Sequence, residues 1–306
     1  MKSLGLSLLI LAVLAVGGAA RAENLEDLGF RPLIGEAARE IAIEVRPVIR
    51  PENALPDGHP ALGSGAIAEV WLTEPTDRYG HAVLGDGIEA GGLLVRLADG
   101  NEVSLSLPED QVFEDLQPRL ADLDGDGAME ILVVRSSQSS GAVLTAYGVV
   151  DGTLQLVAKG PERLTAFRWL NPVGVADFDG DGTLEVAYVE TPHIGGVLRV
   201  LALRDGRLAQ EAEASGFSNH FIGSRALGLS AVLDVDEDGL PEILLPDARR
   251  QALRVMGFVD GELRERAVHP LDTEIVGDFL LEDLDGNGLE GVIVPLKRGR
   301  ELRLYR

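Results

Sequence analysis

Four short stretches hold the residues of this chain best suited to chemistry: DLDGDGAME from Asp122, DFDGDGTLE from Asp177, DVDEDGLPE from Asp234 and DLDGNGLEG from Asp283. The first three fit the pattern D-x-D-x-D-G-x-x-E. Carboxylates at positions 1, 3 and 5 turn inward around a tight loop, the glycine at position 6 takes a positive φ, and position 9 adds a further carboxylate. Hard oxygen donors without nitrogen or sulfur favour calcium over transition metals. The expected ligands are therefore Asp122, Asp124, Asp126 and Glu130, then Asp177, Asp179, Asp181 and Glu185, then Asp234, Asp236, Asp238 and Glu242. The fourth loop keeps Asp283, Asp285 and Asn287 but has Gly291 at position 9, with Glu290 one residue early, so a weaker or empty site is expected there. An EF-hand would need an acid at position 12, where this chain has Val133, Tyr188, Leu245 and Val294.

The elements that must position these loops follow from their spacing. The first aspartates fall at 122, 177, 234 and 283, intervals near 50 residues, which suit a four-stranded propeller blade. Each loop precedes an apolar run such as Ile131–Val134 or Ile243–Leu245, then a short polar break. A third strand leads to Asp151-Gly152, Asp205-Gly206 or Asp260-Gly261, and Asp-Gly between apolar runs is a strong hairpin signal. The unit is thus strand, acidic loop, strand, turn, strand, Asp-Gly turn, strand. The segment before Ala121 fits the same plan without carboxylates, with strands expected at 67–72, 79–84, 92–98 and 102–107. The last unit ends one strand short, and residues 39–49 alternate as a strand able to complete it. The expected fold is all-β: a propeller of about five blades, with six or seven as alternatives, spanning residues 66–306 after an N-terminal segment at 23–65.

These loops with their β-rich flanks resemble FG-GAP/VCBS repeats, the units of integrin-α-type propellers. The resemblance runs from about Ile67 to Arg306 and is strongest from Ala121. It implies calcium-rigidified loops and a binding or scaffold role more often than catalysis. The whole chain is similar to small secreted bacterial VCBS-repeat proteins. Integrin-like propellers usually have seven blades, so a count of five departs from them.

In such a propeller the 2–3 and 4–1 connections lie on the face opposite the acidic loops. That face gathers Arg168, Trp169, Asn171, His193, Asn219, His220 and Arg225, an aromatic with convergent polar groups, as a small-ligand or glycan site would have. Packing between blades is an equally good account of Trp169. Catalysis has little support: G-x-S-x-G, H-E-x-x-H and P-loop patterns are absent, and the five histidines show no metal-ligand spacing.

Composition bounds the rest. With 45% hydrophobic residues the 306-residue chain can bury a full core, and without cysteine it has neither disulfides nor thiolate metal sites. Fifty acidic against 27 basic residues give a formal charge of −23, which disfavours nucleic acid. Residues 1–22 read as a cleaved export signal, with Lys2, an apolar stretch from Leu4 to Val16 and Ala20-Arg21-Ala22 at the cleavage site. The expectation is a periplasmic or secreted calcium-binding propeller that binds a protein or carbohydrate without chemistry. The alternative is a calcium-dependent propeller enzyme, a phosphoester or polysaccharide hydrolase or lyase.

Overall fold

The computed structural model describes residues 24–37 and 49–306. The export signal at 1–22 lies outside the described residues, as does the expected closing strand except Ile49, which is not in a strand. In chain order, β1 (Arg31–Glu36) is followed by a first unit of β2 (Ala61–Leu62), β3 (Ile67–Thr76), β4 (Glu89–Leu97) and β5 (Glu102–Ser106), and then β6 (Gln111–Phe113). The second unit is β7 (Arg119–Ala121), β8 (Glu130–Ser137), β9 (Gly141–Val150) and β10 (Thr153–Lys159). The third is β11 (Leu170–Ala176), β12 (Glu185–Glu190), β13 (Gly196–Arg204) and β14 (Arg207–Phe217). The fourth is β15 (Ala231–Leu233), β16 (Glu242–Pro246), β17 (Ala252–Val259) and β18 (Glu262–Pro270), and the fifth is β19 (Leu280–Glu282), β20 (Gly291–Leu296) and β21 (Arg300–Tyr305).

Each unit is an antiparallel meander. The third and fourth form separate four-stranded sheets, while β6 pairs with both β4 and β8 and so fuses the first two units into one sheet of nine strands. The fifth sheet has the order β1-β21-β20-β19: its fourth strand is Arg31–Glu36, in register from Arg31↔Tyr305 to Glu36↔Arg300. The N-terminal segment therefore does supply a strand, but from residues upstream of the expected 39–49. The turn before β1 anchors it, since Leu25, Leu28 and Phe30 are buried among residues of the last two units.

Local chemistry explains the meander. Strands β8, β12 and β16 are apolar on both faces over most of their length and almost entirely buried, whereas the outer strand β14 alternates between half-buried and exposed positions. In the second, third and fourth units both residues of the Asp-Gly turn have positive φ, at 49° and 73°, 50° and 72°, and 54° and 76°. That is a type I′ turn, whose twist matches the strands it joins.

The first unit departs from expectation. Tyr79–Leu84 is not a strand but part of a long connection between β3 and β4, in which Tyr79, Val83 and Leu84 are buried as loop residues. Ala82 takes a φ of 54°, which breaks an extended run, so the apolar residues there fill the core without a ladder. The short turn at 63–66 occupies the place of an acidic loop. A side chain at Gly63 would lie 2.5 Å from the Ile67 carbonyl, so this turn cannot widen without moving backbone.

The core is continuous from unit to unit. One buried cluster spans the first three units, a second joins the third to the fourth, and a third joins the fourth to the fifth. Among the described residues no helix is long and apolar enough to cross a membrane.

Candidate metal centres

All four acidic loops connect the first and second strands of their units. In three of them the residues at positions 1, 3 and 9 each bring a carboxylate oxygen within 4.8 Å of the others: Asp122, Asp124 and Glu130; Asp177, Asp179 and Glu185; Asp234, Asp236 and Glu242. The loop backbone builds this arrangement. The position-6 glycine amide donates to the position-1 carboxylate at 2.9, 3.0 and 2.9 Å, with Gly127, Gly182 and Gly239 at φ of 88°, 85° and 92°. The position-9 glutamate is the first residue of the second strand, and its Oε2 accepts the amide of position 2 at 2.8, 2.8 and 2.9 Å. One oxygen of each glutamate thus fixes the loop; the other is unpartnered in Glu185 and accepts from Arg266 in Glu242.

Asp126, Asp181 and Asp238, at position 5, lie outside these three-carboxylate groups. Each accepts the amide two residues on, at 2.7 to 2.8 Å, and so shapes the turn. Asp181 also pairs with Arg204 at 2.9 Å.

Packing three carboxylates together in a half-buried loop carries an electrostatic cost. Burial, followed by the nearby aspartates, outweighs the amide bond and pushes Glu185 up to about 7, and Glu242 likewise to about 7. Glu130 is raised for the same reasons. Asp122 Oδ1, Glu185 Oε1 and Asp234 Oδ1 are buried with no hydrogen-bond partner. Orphaned buried oxygens are rare, and an all-oxygen set of this kind fits a hard divalent cation.

The fourth loop keeps the turn and loses the cluster. Asp283 accepts the amides of Gly286, Asn287 and Gly288 at 2.8, 3.1 and 3.0 Å, and Asp285 lies 3.8 Å from the guanidinium of Arg31. Asn287 is used elsewhere, its Nδ2 donating to the Arg306 carbonyl at 2.6 Å. A side chain at Gly291 would lie 2.4 Å from the Leu304 carbonyl, so β20 and β21 are too close there for a position-9 glutamate. Glu290 points to solvent instead.

The other end of the units brings together many of the expected ligand residues, but mostly inside the protein. Trp169 is buried, donates through Nε1 to the Glu114 carbonyl at 2.8 Å, stacks on His193 and meets His220 edge-on. His220 bonds the Ser224 carbonyl at 2.9 Å and His193 Nε2 at 2.7 Å. Burial pushes His193 down to about 3 and His220 to about 4, so both rings are neutral at ordinary pH. Asn171 and Asn219 bond each other's backbone, again buried. Arg225 is exposed but pairs with Asp57 and Asp86 at 2.8 and 2.6 Å, and Arg168 is exposed.

Sequence reasoning missed the acids beneath this face. Glu114, with no exposed surface, accepts from Ser136 and lies 2.5 Å from His81 Nδ1; Glu89 is buried and pushed up to about 9 by burial and then by neighbouring acids. Neither falls in a motif, and only contact with His81 singles out Glu114. Apolar groups also reach the surface here: Phe167, Ile194 and Ile222 are 47, 63 and 71% exposed. Phe167 has a φ of 58°, an unusual conformation for an aromatic, and its amide donates to the Tyr79 hydroxyl at 2.9 Å while its ring packs on Tyr79 and His81.

Comparison with known proteins adds three findings. No curated protein matches the sequence. Among solved structures, Bacillus licheniformis rhamnogalacturonan lyase PL11 aligns with a TM-score of 0.41 and 16% identity, over 66% of this chain and 47% of that one, so the chain spans about half the lyase's length. Residues 122–188, the first acidic loop through to the middle of β12, match the model of the FG-GAP-like repeat family.

Proposed function

We propose that the protein is an exported, calcium-stabilised β-propeller of five four-stranded blades that serves as a non-catalytic binding module for a protein or carbohydrate. The observation that carries the calcium reading is the triplication of one geometry: three loops, each with carboxylates from positions 1, 3 and 9 converging within 4.8 Å. Unpartnered buried oxygens in all three loops supply the reason for a cation. A bound calcium would supply the positive charge that relieves carboxylate repulsion and ties the first strand of a blade to the second. The ring arrangement is supported by contacts that bring the chain back on itself. The connection after the third unit reaches the first, through Gly223 N to the Val83 carbonyl at 2.8 Å and Arg225 to Asp57 and Asp86.

The partner surface is assigned to the face opposite the loops, around Phe167, Ile194 and Ile222, which buried Trp169 and His220 with half-buried His193 support from beneath. The test is a melting scan of the secreted protein with calcium and with EDTA, followed by glycan-array and pull-down binding with wild type and Phe167→Ala. Melting unaltered by EDTA would overturn the calcium reading; partner binding unaltered by the substitution would overturn the surface. A hydrolytic or lytic reading draws on one observation, the His81–Glu114 pair, in which a carboxylate orients an imidazole at the edge of that surface. Turnover of a phosphoester or polysaccharide that is lost in His81→Ala would favour it.

A further inference from the structure

The three acidic loops are alike in backbone but differ in what leans on them from the outermost strand of the unit. Each of the hairpins β9–β10, β13–β14 and β17–β18 carries a one-residue bulge at the same place, between Leu156 and Ala158, opposite Val200/Leu201, and opposite Val255/Met256. The bulged residues are Val157, Glu211 and Arg266. In the fourth unit the consequence is direct. Arg266 donates to Glu242 Oε1 at 2.8 Å and to Asp236 Oδ2 at 2.7 Å, two of the three residues of the Asp234 cluster; Asp234 itself accepts the Gly239 amide through Oδ2 and keeps Oδ1 buried without a partner. The approach is opened by Gly257, where a Cβ would lie 3.2 Å from Arg266 Cγ and from Glu242 Oε1. The equivalent atom in the third unit, Glu185 Oε1, is buried and has no partner; there Arg204 engages Asp181 and Glu211, outside the cluster.

Building on the calcium reading, we propose that Arg266 is a tethered cation that occupies the Asp234 loop, so that this loop holds its shape without calcium while the Asp122 and Asp177 loops require it. A guanidinium bonded to two carboxylates neutralises one of the charges a divalent ion would meet, and its own charge repels that ion at short range. Its planar donors suit two carboxylate oxygens in a way lysine's point charge does not. Two of the loops are then sensitive to extracellular calcium and the third is a permanent clasp.

Calcium binding to the metal-stripped secreted protein, counted by equilibrium dialysis and followed by isothermal titration, tests this. Wild type is expected to take up two ions tightly, and Arg266→Gln three, with affinity at the added site raised at least tenfold. Asp234→Asn in the wild-type background should leave the count at two, whereas Asp177→Asn lowers it to one; these arms stand if Arg266→Gln fails to fold. Three equally tight ions in wild type, or a count lowered by Asp234→Asn, would overturn the proposal by showing that the arginine supports the site instead of filling it. A protein that binds no calcium at any loop overturns the calcium reading itself, and the proposal with it.

Discussion

Replacing Glu185 by glutamine should change the protein's stability in opposite directions with and without calcium. The side chain is fully buried, its Oε2 holds the Phe178 amide and its Oε1 has no partner. Burial and the adjacent carboxylates raise it from 4.5 to about 7. A carboxyl whose folded pKa exceeds its unfolded value stabilises the fold below about pH 4.5, and that contribution is lost as pH rises through about 7. At about 1.4 kcal/mol per pH unit, holding the ionised group in the metal-free loop at pH 8 costs about 3 kcal/mol. Glutamine keeps an acceptor for the amide and removes the charge, so in EDTA at pH 8 the variant should melt higher, by about 5–10 °C at roughly 2–4 °C per kcal/mol. The gain should shrink to under about 1 kcal/mol near pH 5, where the folded glutamate is already protonated. In calcium at about a thousand times its dissociation constant, binding contributes about 4.1 kcal/mol to the wild type, which the variant forfeits; this outweighs the roughly 3 kcal/mol it gains from losing the charge, so it should melt lower by about 1 kcal/mol. Differential scanning calorimetry at pH 5 and pH 8, with EDTA and with calcium, reads all four corners. A variant that melts below wild type in both buffers at pH 8 would refute the reasoning, because Glu185 would then be a structural acceptor and not a carboxylate waiting for a cation.

Other consequences can be measured directly. Phe30→Ala removes a buried anchor of β1 and should destabilise the fold by about 3–5 kcal/mol, seen as a lower urea midpoint; no change would mean the closing strand is dispensable. Trp169→Ala should cost a similar amount, through lost volume and the bond to the Glu114 carbonyl, even in a protein that has no ligand. His193 and His220 have folded pKa values of about 3 and 4, below the unfolded 6.5, so they withdraw stability as pH falls below about 6.5. Acid unfolding should therefore shift to lower pH in His220→Asn, provided the variant keeps the bond from His193. Glu89→Gln should raise the melting temperature at pH 8 whether or not calcium is present, because that acid is buried away from the loops and rests at about 9.

The repeat and its acidic loops were legible because they are local. A glycine at position 6, a glutamate at position 9 and an Asp-Gly turn each act within a few residues, so spacing alone placed the loops, the second strands and the hairpins. The degenerate fourth loop was legible for the same reason, with the tight β20–β21 approach at Gly291 as its cause. The strand expected at Tyr79–Leu84 failed because burial, not pairing, set its apolar pattern: the residues fill the core from an irregular connection. The strand that completes the last sheet was sought in the better alternating segment, whereas the turn anchored by Leu25, Leu28 and Phe30 places Arg31–Glu36 beside β21. On the opposite face the structure brings Trp169, His193 and His220 together, at a depth that residue types alone do not give. Trp169, Asn171, Asn219 and His220 lie beneath the surface, and the groups above them, Phe167, Ile194 and Ile222, looked unremarkable in sequence. Arg266 could not be weighed at all, since its role depends on a bulge that brings it across its hairpin onto the loop.

The pairing of β1 with β21 also bears on when the protein can fold. Arg31 sits against Tyr305, so the last sheet cannot complete its ladder until almost the whole described chain has been made. The contact closes a loop of well over two hundred residues, whose entropic cost is charged late and which slows the final step far more than the local meanders. Meanwhile β21 has an open edge, the form in which strands of different molecules join. A chain in which β1 and β21 have not yet met would thus hold three finished sheets, the β19–β20 pair and an unguarded strand edge. Chaperone dependence should concentrate in that interval, and a circular permutant that places residues 24–37 directly after Tyr305 should shorten it.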